Sequence, residues 1–133
     1  ILVFLREILF TREGETLQTF QKLNLKSQKE ILVLQPPESF EPELAVLQGI
    51  TIKRDAAAME TIDFCLVFTT RQAEVDAFAR AIAPRAGGDA VVWFAYPKGS
   101  SKKFKCDFNR DRGWDELGRL GFEPVRQVSI DED

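Results

Sequence analysis

The 133-residue sequence has no histidine, only two cysteines and no surplus of positive charge. A missing imidazole removes the commonest general base, the usual nitrogen ligand of metal sites and every Ser-His-Asp arrangement. Cys65 and Cys106 are too few for a zinc cage and form no CxxC pair, so no metal is expected. Cys65 sits in an apolar run and reads as core. Lys105 would favour a thiolate at Cys106, but no histidine can serve it as a base, so a structural role is expected there too. Sparse cysteine fits a reducing cytoplasm, the expected compartment. Lys and Arg number 18 against 21 Asp and Glu, giving a net charge of -3 and a pI of about 5.1. General nucleic-acid binding is therefore disfavoured.

A long hydrophobic span is also lacking. The opening "ILVFLREILF", Ile1 to Phe10, is about half the length of a membrane-crossing helix and is interrupted by Arg6 and Glu7. It has neither the basic leader nor the small-residue cleavage site of a signal peptide. It reads as a buried strand or helix, and no membrane partner is expected. An opening Ile in place of Met is expected of a trimmed chain or a fragment.

What remains is an ordinary globular composition, 44% hydrophobic and 29% charged, without repeats or low-complexity segments. One domain over 1–133 is expected, with 1–15 as an added N-terminal strand and turn around Gly14. Thr16 can cap a short helix carrying Leu17, Phe20 and Leu23. Residues 30–35 ("EILVLQ"), 50–55 ("ITIKRD"), 62–70 ("IDFCLVFTT"), 90–96 ("AVVWFAY") and 123–130 ("EPVRQVSI") read as five further strands. Their nearly continuous apolar character is that of strands covered on both faces. A helix or helical turn is expected in "PPESFEPELAVLQG", with Pro37 early and Gly49 as the stop. Another carries Val75, Phe78, Ala79 and Ile82 on one face, with capping-box spacing from Thr69 to Gln72 and an end at Pro84 and Gly87-Gly88. A third, capped by Asn109, bears Trp114, Leu117 and Leu120 and ends before Gly121. Strands alternating with helices imply an α/β fold: a three-layer, Rossmann-like, mostly parallel sheet with helices on both faces.

In such sheets a ligand sits beyond the carboxyl ends of the strands. The relevant loops start at Gln35, Asp55, Thr69 and Tyr96. The last opens "AYPKGSSKKFKCDF", where six cations stand against two acids between Lys98 and Arg112, +4 within an acidic chain. Gly99 gives backbone freedom, Ser100 and Ser101 add hydroxyl donors, and Lys98 follows a buried strand directly. Together they are a candidate cradle for a phosphate or carboxylate, although the order of glycine and lysine is not that of a Walker loop. Tyr96 can stack on a ligand or simply pack. Asp55 stands where a carboxylate would hold ribose hydroxyls, but a pairing with Lys53 or Arg54 is the favoured reading. Asp63 is at the opposite end of its strand and is not a ligand candidate.

The segment Ile62–Tyr96 resembles S-adenosylmethionine-dependent methyltransferases in "IDFCLVFTT" and "FARAIAPRAGGDAVVWFAYP", and "LGRLGFEPVRQVSI" resembles their later helix, Gly-Phe turn and strand. The similarity covers roughly residues 30–130. The chain also resembles a small uncharacterised bacterial family with a degenerate methyltransferase-like fold. The shared features are "LNLK", "LQPPESF" and Trp93-x-x-x-Pro97-Lys98 followed by Ser100 and Ser101. Working methyltransferases run from their first strand into a glycine-rich turn. Here Pro36 and Pro37 offer no N–H and cannot adopt positive φ, while Glu38 and Glu41 occupy the start of the next helix. The resemblance thus implies a scaffold that has lost its usual cofactor grip. Methyltransferase-like sheets finish with an antiparallel strand inserted beside the fifth. That strand is not in the sequence, so Ile1–Phe10 is expected to fill its place, within the monomer or across a homodimer.

The expected function is a non-catalytic binding or interaction domain with no cofactor. Its ligand would be a small anion or an acidic protein surface, taken at Lys98, Gly99, Ser100, Ser101, Tyr96 and Asp55. The alternative is a methyltransferase holding S-adenosylmethionine in an atypical pose.

Overall fold

The computed structural model describes residues 2–7, 25, 28–97, 105–108 and 113–128, with the backbone alone at 2–7, 88–89 and 123–128. Within these, six strands form one sheet: β1 (Leu2–Glu7), β2 (Glu30–Leu34), β3 (Thr51–Lys53), β4 (Ile62–Phe68), β5 (Ala86–Tyr96) and β6 (Glu123–Val128). Their spatial order is β3-β2-β4-β5-β1-β6, and every pairing is parallel.

The apolar runs are buried on both faces, as their composition demands. Alternate side chains of the central strands point to opposite sides. Leu32, Leu34, Cys65, Val67, Val92, Phe94 and Tyr96 join one core cluster, under helices α2 (Gln72–Ile82) and α3 (Asp115–Arg119). Ile31, Val33, Phe64, Leu66, Phe68, Trp93 and Ala95 join the other, with Phe40 and Leu44. Phe40 ends a 3-10 turn, Glu38–Phe40, and Leu44 lies on the short helix α1, Glu41–Ala45. Secondary structure therefore covers both faces. Burying one such side chain contributes about 1.5–3 kcal/mol, so these two layers dominate the stability of the domain.

Within the Ile1–Phe10 segment, Leu2–Glu7 forms a strand beside the fifth of the strands read from sequence, while residues 1 and 8–15 lie outside the described residues. Its surroundings are more specific than that. β1 is wedged between β5 and β6 of its own chain, with Leu2 opposite Val91 and Glu7 opposite Tyr96. It runs parallel to both, whereas a methyltransferase sheet carries an antiparallel strand there.

Local departures have identifiable causes. The helix expected after Pro37 is split into the 3-10 turn and α1, because Pro42 removes an N–H at the first turn of α1. Gly87 and Gly88 do not end α2. They lie within β5, where the three residues of β4 from Ile62 to Phe64 span the six from Ala86 to Val91. Such an irregularity suits residues without side chains. α3 is five residues long and begins after Trp114, so Trp114 precedes the helix. Gly121 takes positive φ, +93°, just beyond α3, and Gly49, at +72°, lies four residues past the end of α1. Gly14, Thr16, Leu17, Phe20, Leu23 and Asn109 lie outside the described residues.

Candidate functional site

The chain moves outward from β2 to β3 on one side, and from β4 to β5 on the other. The crevice between the carboxyl ends of β2 and β4 is therefore the switch point of the sheet, where α/β proteins hold ligands. A cleft of about 280 Å³ lies there. Gln35 and Pro37 line it from the loop after β2, Phe68, Thr69 and Thr70 from the end of β4, and Glu74 from the first turn of α2. Ala95, Tyr96 and Pro97 close it from the end of β5.

Glu74 organises the polar side of this cleft. One carboxylate oxygen, Oε1, accepts the backbone N–H groups of Thr70 (3.0 Å) and Arg71 (3.1 Å) and the Thr70 hydroxyl (3.4 Å). The other, Oε2, accepts the Gln35 side-chain amide at 2.7 Å. Burial alone would raise the pKa of this carboxyl, but the bonds from Gln35, Thr70 and Arg71 outweigh it, and the group is held below its ordinary value. The expected capping pair of Thr69 and Gln72 is thus replaced. Glu74 reaches back over the first turn, and the Thr69 hydroxyl turns to the Ala95 carbonyl.

The next free N–H of α2 is also taken. Gln72 N–H donates to Asp107 Oδ1 at 2.6 Å, and Asp107 N–H donates to the Thr70 carbonyl at 3.1 Å. The Gln72 side chain reaches Asp76 (3.0 Å) and the Gly113 carbonyl (2.6 Å). Two segments after β5 are thereby fastened to the start of α2. Beneath them Tyr96, Phe108 and Trp114 pack as a ring cluster, with centroids 5.2–5.6 Å apart. The N–H groups of Thr70, Arg71 and Gln72 are thus already bonded, which weakens the use as a phosphate site that helix N-termini otherwise invite.

Gln35 is the unusual residue. Its φ is +53°, the sole left-handed non-glycine among the described residues, and it directly precedes Pro36. A residue before proline normally prefers extended backbone, so this conformation carries strain of about 1–2 kcal/mol. It sends the amide across the crevice, where Nε2 donates to the Phe68 carbonyl (3.3 Å) as well as to Glu74. Gln35 thus takes a backbone shape usual for glycine while its side chain fills the gap.

No family model, curated protein or solved structure matches the chain.

Of the residues singled out from sequence, Tyr96 lines the cleft, although its ring is buried and shared with Phe108 and Trp114. Asp55 does not line it. Its carboxylate caps the 3-10 turn Ala56–Ala58 by accepting the Ala57 N–H at 3.0 Å. Nor does it pair with Arg54, whose guanidinium grips Glu41 at 2.8 and 3.0 Å. Lys98, Gly99, Ser100 and Ser101 lie outside the described residues, as do Lys102 and Lys103. Pro97, the residue before Lys98, lines the cleft.

Sequence reasoning missed Gln35 and Glu74 as site residues. Glu74 sits two positions into α2, where an acid is ordinary, and only the fold brings Gln35 to it from 39 residues away. A signal did exist in the Gln-Pro-Pro following a buried strand, since a strand end needs some donor for the last carbonyl of its neighbour.

The cysteines are as expected. Cys65 is fully buried and its thiol is pushed far up by burial. Cys106 is half-buried and also raised, by burial first and by the nearby Asp107 and Glu74 charges. Asp63 lies at the amino end of β4, on a larger and strongly charged hollow with Lys29, Lys53 and Glu60. Ligands in parallel sheets favour the other edge. Among the described residues, no group of three or more acidic, histidine or cysteine side chains is arranged to hold a metal, and no helix is long and apolar enough to cross a membrane.

Proposed function

We propose that the protein is a non-catalytic small-molecule-binding domain on a Rossmann-like scaffold of degenerate methyltransferase type, with its ligand in the cleft between the ends of β2 and β4. The observation that carries this reading is the coincidence of the cleft with the sheet's switch point. Three features favour binding over catalysis. The chain has no histidine. Glu74 is tied to four donors and held ionised, which makes it a weak proton acceptor near neutral pH. Pro36 and Pro37 occupy the turn that would otherwise lend N–H groups to a cofactor.

The test is a ¹⁵N-correlated NMR titration with small fragments of acidic, basic and neutral character, and with S-adenosylmethionine. The expected result is a set of shifts centred on Gln35, Phe68–Thr70, Glu74 and Ala95–Tyr96. Fragments that move none of these amides would overturn the reading. S-adenosylmethionine binding there, with methyl transfer to an acceptor, would restore the enzyme instead. Lys98 follows the cleft-lining Pro97 directly, so Lys98→Ala belongs in the series. It weakens anions alone if the loop supplies an anion contact.

A further inference from the structure

The polar end of the cleft is built from acceptors. Glu74 Oε2 and the Phe68 carbonyl both face the Gln35 amide, at 2.7 and 3.3 Å. The donors that would suit an anion are spent. Thr70 and Arg71 N–H go to Glu74 Oε1, and Gln72 N–H goes to Asp107. An anion entering here would meet a carboxylate and find these three N–H groups already bonded.

The Gln35 side chain shows what the crevice does accept. An amide nitrogen carries two N–H groups, and here one nitrogen serves both acceptors. A primary ammonium or an amidinium supplies the same donors with a full positive charge, and charge-assisted bonds are about twice as strong as neutral ones. Gln35 is also an easily displaced occupant. It is exposed, and its backbone is held left-handed ahead of a proline, so releasing the amide lets that strain relax. Beyond this end the walls are apolar: Pro37, Phe68, Ala95, Tyr96 and Pro97.

We infer that the cleft takes a small protonated amine or amidine with an apolar body, its cationic head displacing the Gln35 amide from Glu74 and the Phe68 carbonyl. This rests on the cleft being the binding site, and adds the chemical class of its ligand. Gln35 is then a specificity-determining residue: it occupies both acceptors against weak donors, and yields to a charged one.

The experiment compares benzylamine, benzamidine, benzyl alcohol and benzoate, which share a ring and differ in head group, by NMR titration of the wild type, Gln35→Gly and Glu74→Gln. The two cations are expected to shift the Gln35 side-chain amide and the Phe68–Glu74 backbone, and to bind more tightly than the alcohol and the acid. Gln35→Gly keeps the left-handed turn and removes the competitor, so it should tighten both cations by roughly two- to fivefold, the worth of one exposed hydrogen bond to a charged group. Glu74→Gln keeps an oxygen for the Thr70 and Arg71 N–H groups and should abolish the preference for cations. Benzoate or benzyl alcohol binding at these amides as well as the cations would overturn the inference while leaving the cleft as a binding site. Silence from all four probes, in the wild type and in Gln35→Gly, would overturn the inference, and silence from the wider fragment set would remove the cleft itself. Chemical-shift dispersion of each variant in the absence of probe reports whether it folds. Should Glu74→Gln unfold, Gln35→Gly alone decides, since unchanged cation affinity there contradicts displacement.

Discussion

Replacing Glu74 by Ala removes one carboxylate on which two strand ends and a helix start converge. The loss divides into two parts. Thr70 and Arg71 N–H lose their cap, which costs about 1 kcal/mol at a helix start. Gln35 loses a charge-assisted bond that is worth about 1.5–3 kcal/mol when buried, but about 0.5–1 kcal/mol for a pair as exposed as this one. The sum is about 1.5–2 kcal/mol, or a fall in Tm of roughly 5–8 °C for a domain of this size. Glu74→Gln retains the oxygen that serves the helix and should cost about 0.5–1 kcal/mol. Urea and thermal melts of the wild type, both variants and the Gln35→Gly double combinations measure each part. The acid limb offers an independent check. The folded pKa of Glu74 lies below its unfolded value of about 4.3, so its contribution is complete above that value and is lost as pH falls through the folded pKa. Glu41, held down chiefly by its bond from Arg54, and Glu116, held down chiefly by Arg119, share that limb. The difference between wild type and Glu74→Gln isolates Glu74, and should shrink as the solution becomes more acid. A Glu74→Ala protein within 0.5 kcal/mol of wild type, or a difference that does not change with pH, would refute the account of the cleft.

Gly113→Ala should be the most damaging of the small substitutions: φ is +110°, and a Cβ would collide with the Gln72 side-chain oxygen and come within 2.9 Å of Phe108 Cβ. A loss of about 2–4 kcal/mol is expected from backbone strain and the disturbed Gln72 bonds, whereas Gly118→Ala, with open space around it, should stabilise α3 by about 0.5–1 kcal/mol in the same melts. A disulfide-exchange reagent at pH 7.5 should label Cys106 slowly and Cys65 only with unfolding, since burial raises both thiols and encloses Cys65 completely; equal rates would contradict the packing. Arg54→Ala should cost no more than about 0.5–1 kcal/mol, because its pairing with Glu41 is exposed, and the cost should vanish at 1 M salt.

The reach of the sequence can be judged from particular elements. Ile31–Leu34, Ile62–Phe68 and Val91–Tyr96 were legible as strands because an aliphatic run of that length, buried on both faces, has few other fates. The inner face of α2 was legible from its 3.6-residue spacing, and Val75, Ala79 and Ile82 are buried as that spacing requires. The glycine pair at 87–88 was misread because glycine interrupts helices and strands alike, and only the register with Ile62 and Phe64 distinguishes them. Asp55 was misread for a related reason. A carboxylate beside Lys53 and Arg54 invites an ion pair, yet the Ala57 N–H two residues on is nearer and fixed in direction. The edge of the sheet that carries the cleft was legible. Its chemistry was not, because Gln35 meets Glu74 through tertiary structure alone, and neither residue type announces a site.

The position of β1 has a consequence for how the chain folds. β1 has its two neighbours at Val91–Tyr96 and Glu123–Val128, so it is synthesised well before either exists. At ribosomal speeds of 5–20 residues per second, that wait is roughly 5–25 s. During it, an apolar stretch must be sheltered by a chaperone or by non-native contacts. The β2–β4 half, whose partners lie close in sequence, can form first, and insertion of β1 between β5 and β6 is expected to come last. Loop closure over so many residues is slow. The rate-limiting event of folding, and the window for aggregation, should therefore lie on the β5-β1-β6 side of the sheet, which meets the cleft at the end of β5.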